Sequence, residues 1–182
     1  MMKGSVYIDR KTYDNINCIA ANNENEQMMV FGGVQDGDKV TIDSSTIKWF
    51  SRRELISQDS ESVEVDEGVL VQTIMNILAR GKCNSIVMVH SHPCATPLDD
   101  FLYGSLSSED IVNSKRLLLI CQFMNVKYFD GVSTGSHIYF WSLNNENIVP
   151  EQLSCYVDNV LVPSKVPGTI QELVDIVGKG AK

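Results

Sequence analysis

Basic residues are scarce in this chain. Fifteen Lys and Arg stand against 23 Asp and Glu, a formal net charge of −8. Phosphate binding wants a basic patch, so nucleic acid is excluded as the main ligand, and a basic protein partner suits the balance better. No apolar run approaches the ~20 residues that a helical membrane span needs, so no membrane is expected as a partner. Met1-Met2-Lys3-Gly4-Ser5 leads into the strand-like Val6-Tyr7-Ile8, which does not read as a signal peptide. The five cysteines (Cys18, Cys83, Cys94, Cys121, Cys155) are odd in number and widely spaced, with no Cys-x-x-Cys. They read as core fillers in a reducing cytoplasm rather than as a disulfide framework. Only three histidines occur. Two of them cluster, and no further Cys/His set is left for a second, structural metal. There is no internal repeat and no low-complexity run.

What is present concentrates in two short segments. The first is His90-Ser91-His92-Pro93, after the apolar, β-branched run Ser85-Ile86-Val87-Met88-Val89. That run reads as a buried strand, and its period of two delivers His90 and His92 to one face where Pro93 ends the ladder. The second is Ser107-Ser108-Glu109-Asp110. Ser107 can cap a helix from Ser108 to about Met124, with Asp110 in its first turn, where a carboxylate is favoured. Ser-x-x-Asp is also close to an ordinary capping box. Together, two imidazoles and one carboxylate are a ligand set that catalytic zinc uses when it keeps a fourth position open.

At 182 residues, 43% hydrophobic and 21% charged, the chain suits one soluble domain with a substantial core. Residues 5–20 read as a strand and a short helix. Met28–Phe31 and Lys39–Asp43 read as strands joined at Asp36-Gly37, with Trp49 and Phe50 in a further strand. Val63–Val65 alternates before Asp66, which can cap a helix over Val69–Ala79. Val126–Phe129 and His137–Trp141 read as closing strands, and His137 as a plain strand residue. The expected fold class is α/β (α+β), a mixed sheet flanked by helices. Residues 1–145 form the expected catalytic domain. Residues 146–182 form a C-terminal extension, broken by Pro150, Pro163 and Pro167, with a short helix at Thr169–Val177 packed on the domain.

His-Ser-His-Pro, a loop, then Ser-Ser-Glu-Asp resembles the signature of the JAMM (MPN+, JAB domain) zinc metalloproteases, over roughly residues 5–142. The family pattern also has an upstream glutamate seven positions before a glycine. Glu26 stands so before Gly33, with Glu24 as the alternative base; Met29 occupies a position where many members carry glycine. The fourteen-residue segment from Pro93 to Leu106 is longer than usual and carries Phe101, Leu102 and Tyr103, which suit a flap over substrate as well as a packed surface loop. Cys94 stands two residues after His92, but a site of this kind does not require it. The resemblance implies an MPN/cytidine-deaminase-like sandwich of the stand-alone bacterial type. It implies a deubiquitinase-like isopeptidase that cuts after the C-terminal tail of a ubiquitin-like protein or its conjugate.

On that reading His90, His92 and Asp110 hold Zn2+ and lower the pKa of a bound water. Glu26 takes its proton as general base and passes it to the leaving amine. The Ser107 hydroxyl steadies the oxyanion, a role whose loss costs on the order of 100-fold in rate. Three other readings stand beside this one. A non-catalytic MPN scaffold would have lost ligands, and this chain keeps them. A RadC-like protein is suggested by Ser108–Ile111 and Phe129-Asp130-Gly131, but the acidity and the lack of a helix-hairpin-helix segment argue against DNA binding. A sulfur-carrier-processing peptidase would use the same chemistry on another tail.

Overall fold

The strand-forming runs pair into one sheet that closes on itself. The computed structural model describes residues 4–58, 62–93, 106–143 and 150–162. In chain order these give β1 (Ser5–Ile8), α1 (Arg10–Ala21), β2 (Met28–Asp36), β3 (Lys39–Trp49), a 3-10 turn (Arg52–Glu54), β4 (Leu55–Gln58) and β5 (Val63–Val65). Then follow α2 (Glu67–Leu78), β6 (Ser85–Ser91), α3 (Ser108–Phe123), β7 (Lys127–Ser133), β8 (Ile138–Ser142), β9 (Glu151–Val157) and β10 (Val160–Val162). The main sheet runs β1-β3-β2-β6-β7-β8-β9, and β9 returns to pair with β1. β10 extends β9 as a hairpin, and β4–β5 is a separate two-stranded unit.

The helix-flanked α/β sandwich expected from the sequence is corrected here. The protein is mostly β, a closed seven-stranded barrel with three helices among the described residues. The strand that makes the difference is β9. Ser5 to Ile8 lie in parallel register with Ser154 to Val157, so the sheet has no open edge between β1 and β9. Pro150 directly precedes β9, a position where its missing N–H costs the ladder nothing.

Two cores follow from the closure. Val6, Phe31, Val40, Val87, Phe129, Phe140 and Cys155, from all seven strands, share one cluster with Tyr13 and Ile16 of α1. This is the filled interior expected of a small barrel. The outward positions of the β2-β6-β7 wall (Val30, Ile86, Met88, Tyr128) pack instead on Leu70, Ile74 and Ile77 of α2 and on Leu117 and Cys121 of α3. β6 is therefore buried at every position. This explains why its sequence is a continuous apolar run rather than an alternation. Gly32 permits α2's close approach to that wall, because a Cβ there would stand 2.7 Å from Ile77 Cγ2 and 2.3 Å from Cys83 Sγ.

The helix starts are set by local hydrogen bonds. Asp9 accepts from the Thr12 N–H and Asp66 from the Val69 N–H. Gly37, at φ +57°, turns the β2–β3 hairpin at the Asp-Gly dipeptide. β2 and β3 run longer than the sequence suggested, and Trp49 ends β3 rather than opening a new strand. The expected helix at Thr169–Val177, the segment from Cys94 to Ser105 and Cys94 itself lie outside the described residues. None of the described cysteines forms a disulfide. Burial pushes the thiols of Cys121 and Cys155 up to about 12. Among the described residues, no helix is long and apolar enough to cross a membrane.

The turn before β4 carries a testable electrostatic contact. Lys48 Nζ lies 2.6 Å from Glu54 Oε1, and the Ser51 N–H and O–H both donate to Glu54 Oε2. The lysine first, then the serine donors, hold the Glu54 carboxyl down at about 2. A depressed carboxyl stabilises the fold above its ordinary pKa of about 4.3 and loses that contribution as pH falls toward 2. Glu54→Gln is expected to lower the urea midpoint at pH 7 and to leave it unchanged at pH 2; an equal loss at both would remove the ionic explanation.

Candidate metal centre

The barrel wall and the start of α3 bring the sequence-selected residues together. His90 is the penultimate residue of β6 and His92 follows its end, so both rings emerge on the same side. β2 pairs antiparallel with β6, with Met28 opposite His90. The Ser91 N–H donates to the Gln27 carbonyl and the Gln27 N–H to Ser91 Oγ, which carries the register past the strand end. Glu26 is thereby set against His92, with Oε1 3.6 Å from His92 Nε2. Gln58 of β4 donates to the Glu26 carbonyl at 2.7 Å, fixing that backbone from the other side. Glu26 is buried at 4% exposure, whereas Glu24 is exposed.

Asp110 arrives from α3. The capping box forms as its sequence suggests: the Asp110 N–H donates to Ser107 Oγ at 3.1 Å, and the Ser107 N–H donates to Asp110 Oδ2 at 2.7 Å. The cap orients the Asp110 carboxylate as well as starting the helix. Ser107 itself is solvent-exposed, with its side chain engaged by Asp110 in the cap.

The ligand-atom spacing is the informative quantity. His90 Nε2 and His92 Nε2 are 3.1 Å apart. Each lies 3.3 Å from an oxygen of Asp110, Oδ1 for His90 and Oδ2 for His92. Bonds of about 2.0–2.1 Å in a tetrahedral site put neighbouring ligand atoms about 3.3 Å apart. One ligand atom from each of His90, His92 and Asp110 lies within 4.8 Å of the others, so this largely buried cluster could hold a metal ion. Glu26, His90, Asp110 and Asp130 border a cavity of about 20 Å3, room for one water-sized occupant. Burial pushes the His90 imidazole's pKa down, but Asp110 and Asp130 outweigh it and hold that pKa well above the ordinary value. Burial also opposes ionisation of Asp110, yet His90, His92 and the Ser107 donor keep its carboxyl far below the usual carboxylate range. The Asp110 and Asp130 carboxylates thus favour positive charge at His90.

Asp130 of β7 was missed as a site residue in the sequence. It is 1% exposed, and its Oδ1 lies 3.6 Å from His90 Nδ1. Its Oδ2 accepts from Ser114 Oγ and from Tyr128 OH, and its Oδ1 from the Gly131 N–H. An acid inside the apolar run Tyr128-Phe129-Asp130-Gly131-Val132 was the available signal, since a buried carboxylate demands partners. His137 precedes β8 near the same end of the wall, but it lines a separate surface cavity with Tyr13, Asn17 and Cys18 and is not among the residues around the metal cavity.

No protein-family model and no curated protein matches the chain. The fold is similar to the solution structure of a protein from Desulfitobacterium hafniense, with TM-score 0.50 and 13% identity, covering 84% of this chain and 93% of that one. A solution structure of a protein from Salinibacter ruber aligns with TM-score 0.45 and 14% identity over 88% of this chain and 94% of that one. Neither is named for an activity, and the first shows the fold alone. The resemblance to the JAMM metalloproteases is corrected accordingly: the barrel is closed where a helix-flanked MPN sandwich was implied. What fold and site define together is a closed β-barrel with a candidate metal centre at the end of β6.

Proposed function

We propose that this site is a hydrolytic metal centre with zinc as its ion, and that the protein is a peptidase or isopeptidase cleaving an amide bond. The observation that supports this most is the convergence of one ligand atom each from His90, His92 and Asp110, within 4.8 Å of one another, beside a buried carboxylate, Glu26, that stands outside the trio. Two imidazoles favour zinc over magnesium or calcium, which prefer all-oxygen sets. A bound divalent ion would supply Lewis acidity and lower the pKa of a coordinated water toward about 7. Glu26 would take the proton and return it to the leaving amine. Ser107, held beside Asp110 by the cap, would turn its O–H to the oxygen on which charge develops.

An apolar groove lined by Met28, Ile56, Val63, Leu70, Met88 and Leu117 opens beside the metal cavity, sharing Met28, Val63 and Met88 with it. It suits an extended tail carrying aliphatic side chains, and the C-terminal tail of a ubiquitin-like protein is the substrate proposed on that chemistry. The absence of disulfides among the described cysteines suits a reducing compartment, and the cytoplasm is the proposed location.

The test offers purified protein a ubiquitin-like protein fused through its C-terminal tail to a reporter, with zinc, with chelator, and as Asp110→Ala. The expected result is about one zinc per chain and cleavage in the wild type alone, lost with chelator and in Asp110→Ala. No stoichiometric zinc in the wild type would overturn the proposal.

A further inference from the structure

We propose that Asp130 is the positioning residue that locks the two halves of the metal centre together, acting through His90 Nδ1 on one side and Ser114 on the other. The inference rests on the metal-centre reading and adds to it a residue outside the ligand set. The ligands come from two different elements, His90 and His92 from the end of β6 and Asp110 from the first turn of α3. Their spacing must be held to a few tenths of an ångström for an ion to bind well. The capping box fixes Asp110 within its own helix but says nothing about where that helix sits against β6.

Asp130 supplies that link. It is the neighbour of β6 across the β6–β7 ladder, in register with Met88. One carboxylate oxygen faces His90 Nδ1 at 3.6 Å. The other accepts from Ser114, which stands one helical turn after Asp110 on α3. Tyr128, on the same strand, donates to that oxygen at 3.1 Å. Asp130, Ser114, Tyr128 and His90 are all at most 4% exposed, so water does not compete for these contacts. With Nδ1 carrying its proton toward Asp130, Nε2 is the ring nitrogen left to coordinate, and it is Nε2 that faces His92 and Asp110. One buried carboxylate thus favours a proton on His90 Nδ1 through a 3.6 Å electrostatic contact and ties α3 to β7 through Ser114.

The experiment measures zinc affinity by competition with a chromophoric chelator, alongside the melting temperature of the metal-free protein. Asp130→Asn keeps the shape, and the Ser114 and Tyr128 hydroxyls can rotate to accept from or donate to the amide. Its zinc dissociation constant is expected to rise 10- to 100-fold, the usual cost of losing such an outer partner, with the metal-free melting temperature little changed. Ser114→Ala, which leaves the carboxylate in place and cuts only the link to α3, is expected to weaken zinc binding by a smaller factor. Wild-type affinity in Asp130→Asn overturns the proposal. So does a loss of affinity accompanied by a matching loss of metal-free stability, which would make Asp130 a structural residue only. If Asp130→Asn does not fold, Ser114→Ala decides, and unchanged affinity there overturns the link. A wild-type protein that binds no zinc would instead bring down the metal-centre reading on which this one stands.

Discussion

Glu26→Gln is expected to abolish hydrolysis while leaving zinc bound. A positioned general base contributes about 10²- to 10⁴-fold, and an amide of the same shape cannot take the proton. The position argues for a base rather than a ligand. Glu26 Oε1 approaches His92 Nε2 at 3.6 Å, longer than the 3.1–3.3 Å spacings within the trio. It borders the small cavity and stands outside the His90–His92–Asp110 group. Its backbone is held by the Gln58 amide and by the Gln27–Ser91 exchange, so the substitution has little scope to disturb the strand. Measured on the tail-fused reporter, turnover should fall by at least 100-fold, and zinc stoichiometry by equilibrium dialysis should stay near one per chain. Glu24→Gln, at an exposed position before β2, should retain wild-type turnover. Turnover in Glu26→Gln near the wild-type rate would remove the base role from this residue. Loss of zinc along with turnover would make Glu26 a ligand.

Much of the candidate site could be read locally because its parts obey short periods. His90 and His92 share a side because strand side chains alternate, and Asp110 follows its cap by three residues because a capping box does. Glu26 required the partner strand: only the antiparallel register of β2 on β6 brings it to His92. Asp130 required the parallel neighbour, β7, which reaches β6 only after the α3 crossover. No local pattern encodes either pairing.

The barrel was hidden for the same reason. Leu153, Cys155 and Val157 point inward and Gln152, Ser154 and Tyr156 are less buried, so the alternation of β9 was legible. Its partner was not, because β1 lies at the opposite end of the chain. Reading Pro150 and Pro163 as breaks left out the strand that turns an open sheet into a barrel. The element list came close while the fold class did not. Closure also matters for the site. It places the β2-β6-β7 wall between a filled interior and the helices α2 and α3, so the histidines emerge from a wall braced on both faces.

That bracing makes Phe31→Ala the most damaging single truncation expected. Phe31 is fully buried on β2, opposite Val87 of β6, and belongs to the interior cluster that draws on all seven strands and on Tyr13 and Ile16 of α1. A closed interior cannot collapse around a missing ring without moving strands that are paired on both edges, so the cavity term is retained along with the transfer term. The cost is expected to be about 3–5 kcal/mol. That is a large share of the 5–15 kcal/mol that stabilises a typical domain. The measurement is urea unfolding with chelator present, so that metal binding does not offset the loss. Phe123→Ala is the control: its ring is 94% exposed at the end of α3, and it should change stability by no more than about 0.5 kcal/mol. A cost for Phe31→Ala below about 1 kcal/mol would mean that the interior is loosely filled and that closure through β9 does not brace the wall. A large cost, with zinc affinity falling in the chains that remain folded, would tie the packing of the barrel to the spacing of the ligands, since Glu26 leads into β2 two residues before its start and β2 pairs with the strand that carries His90.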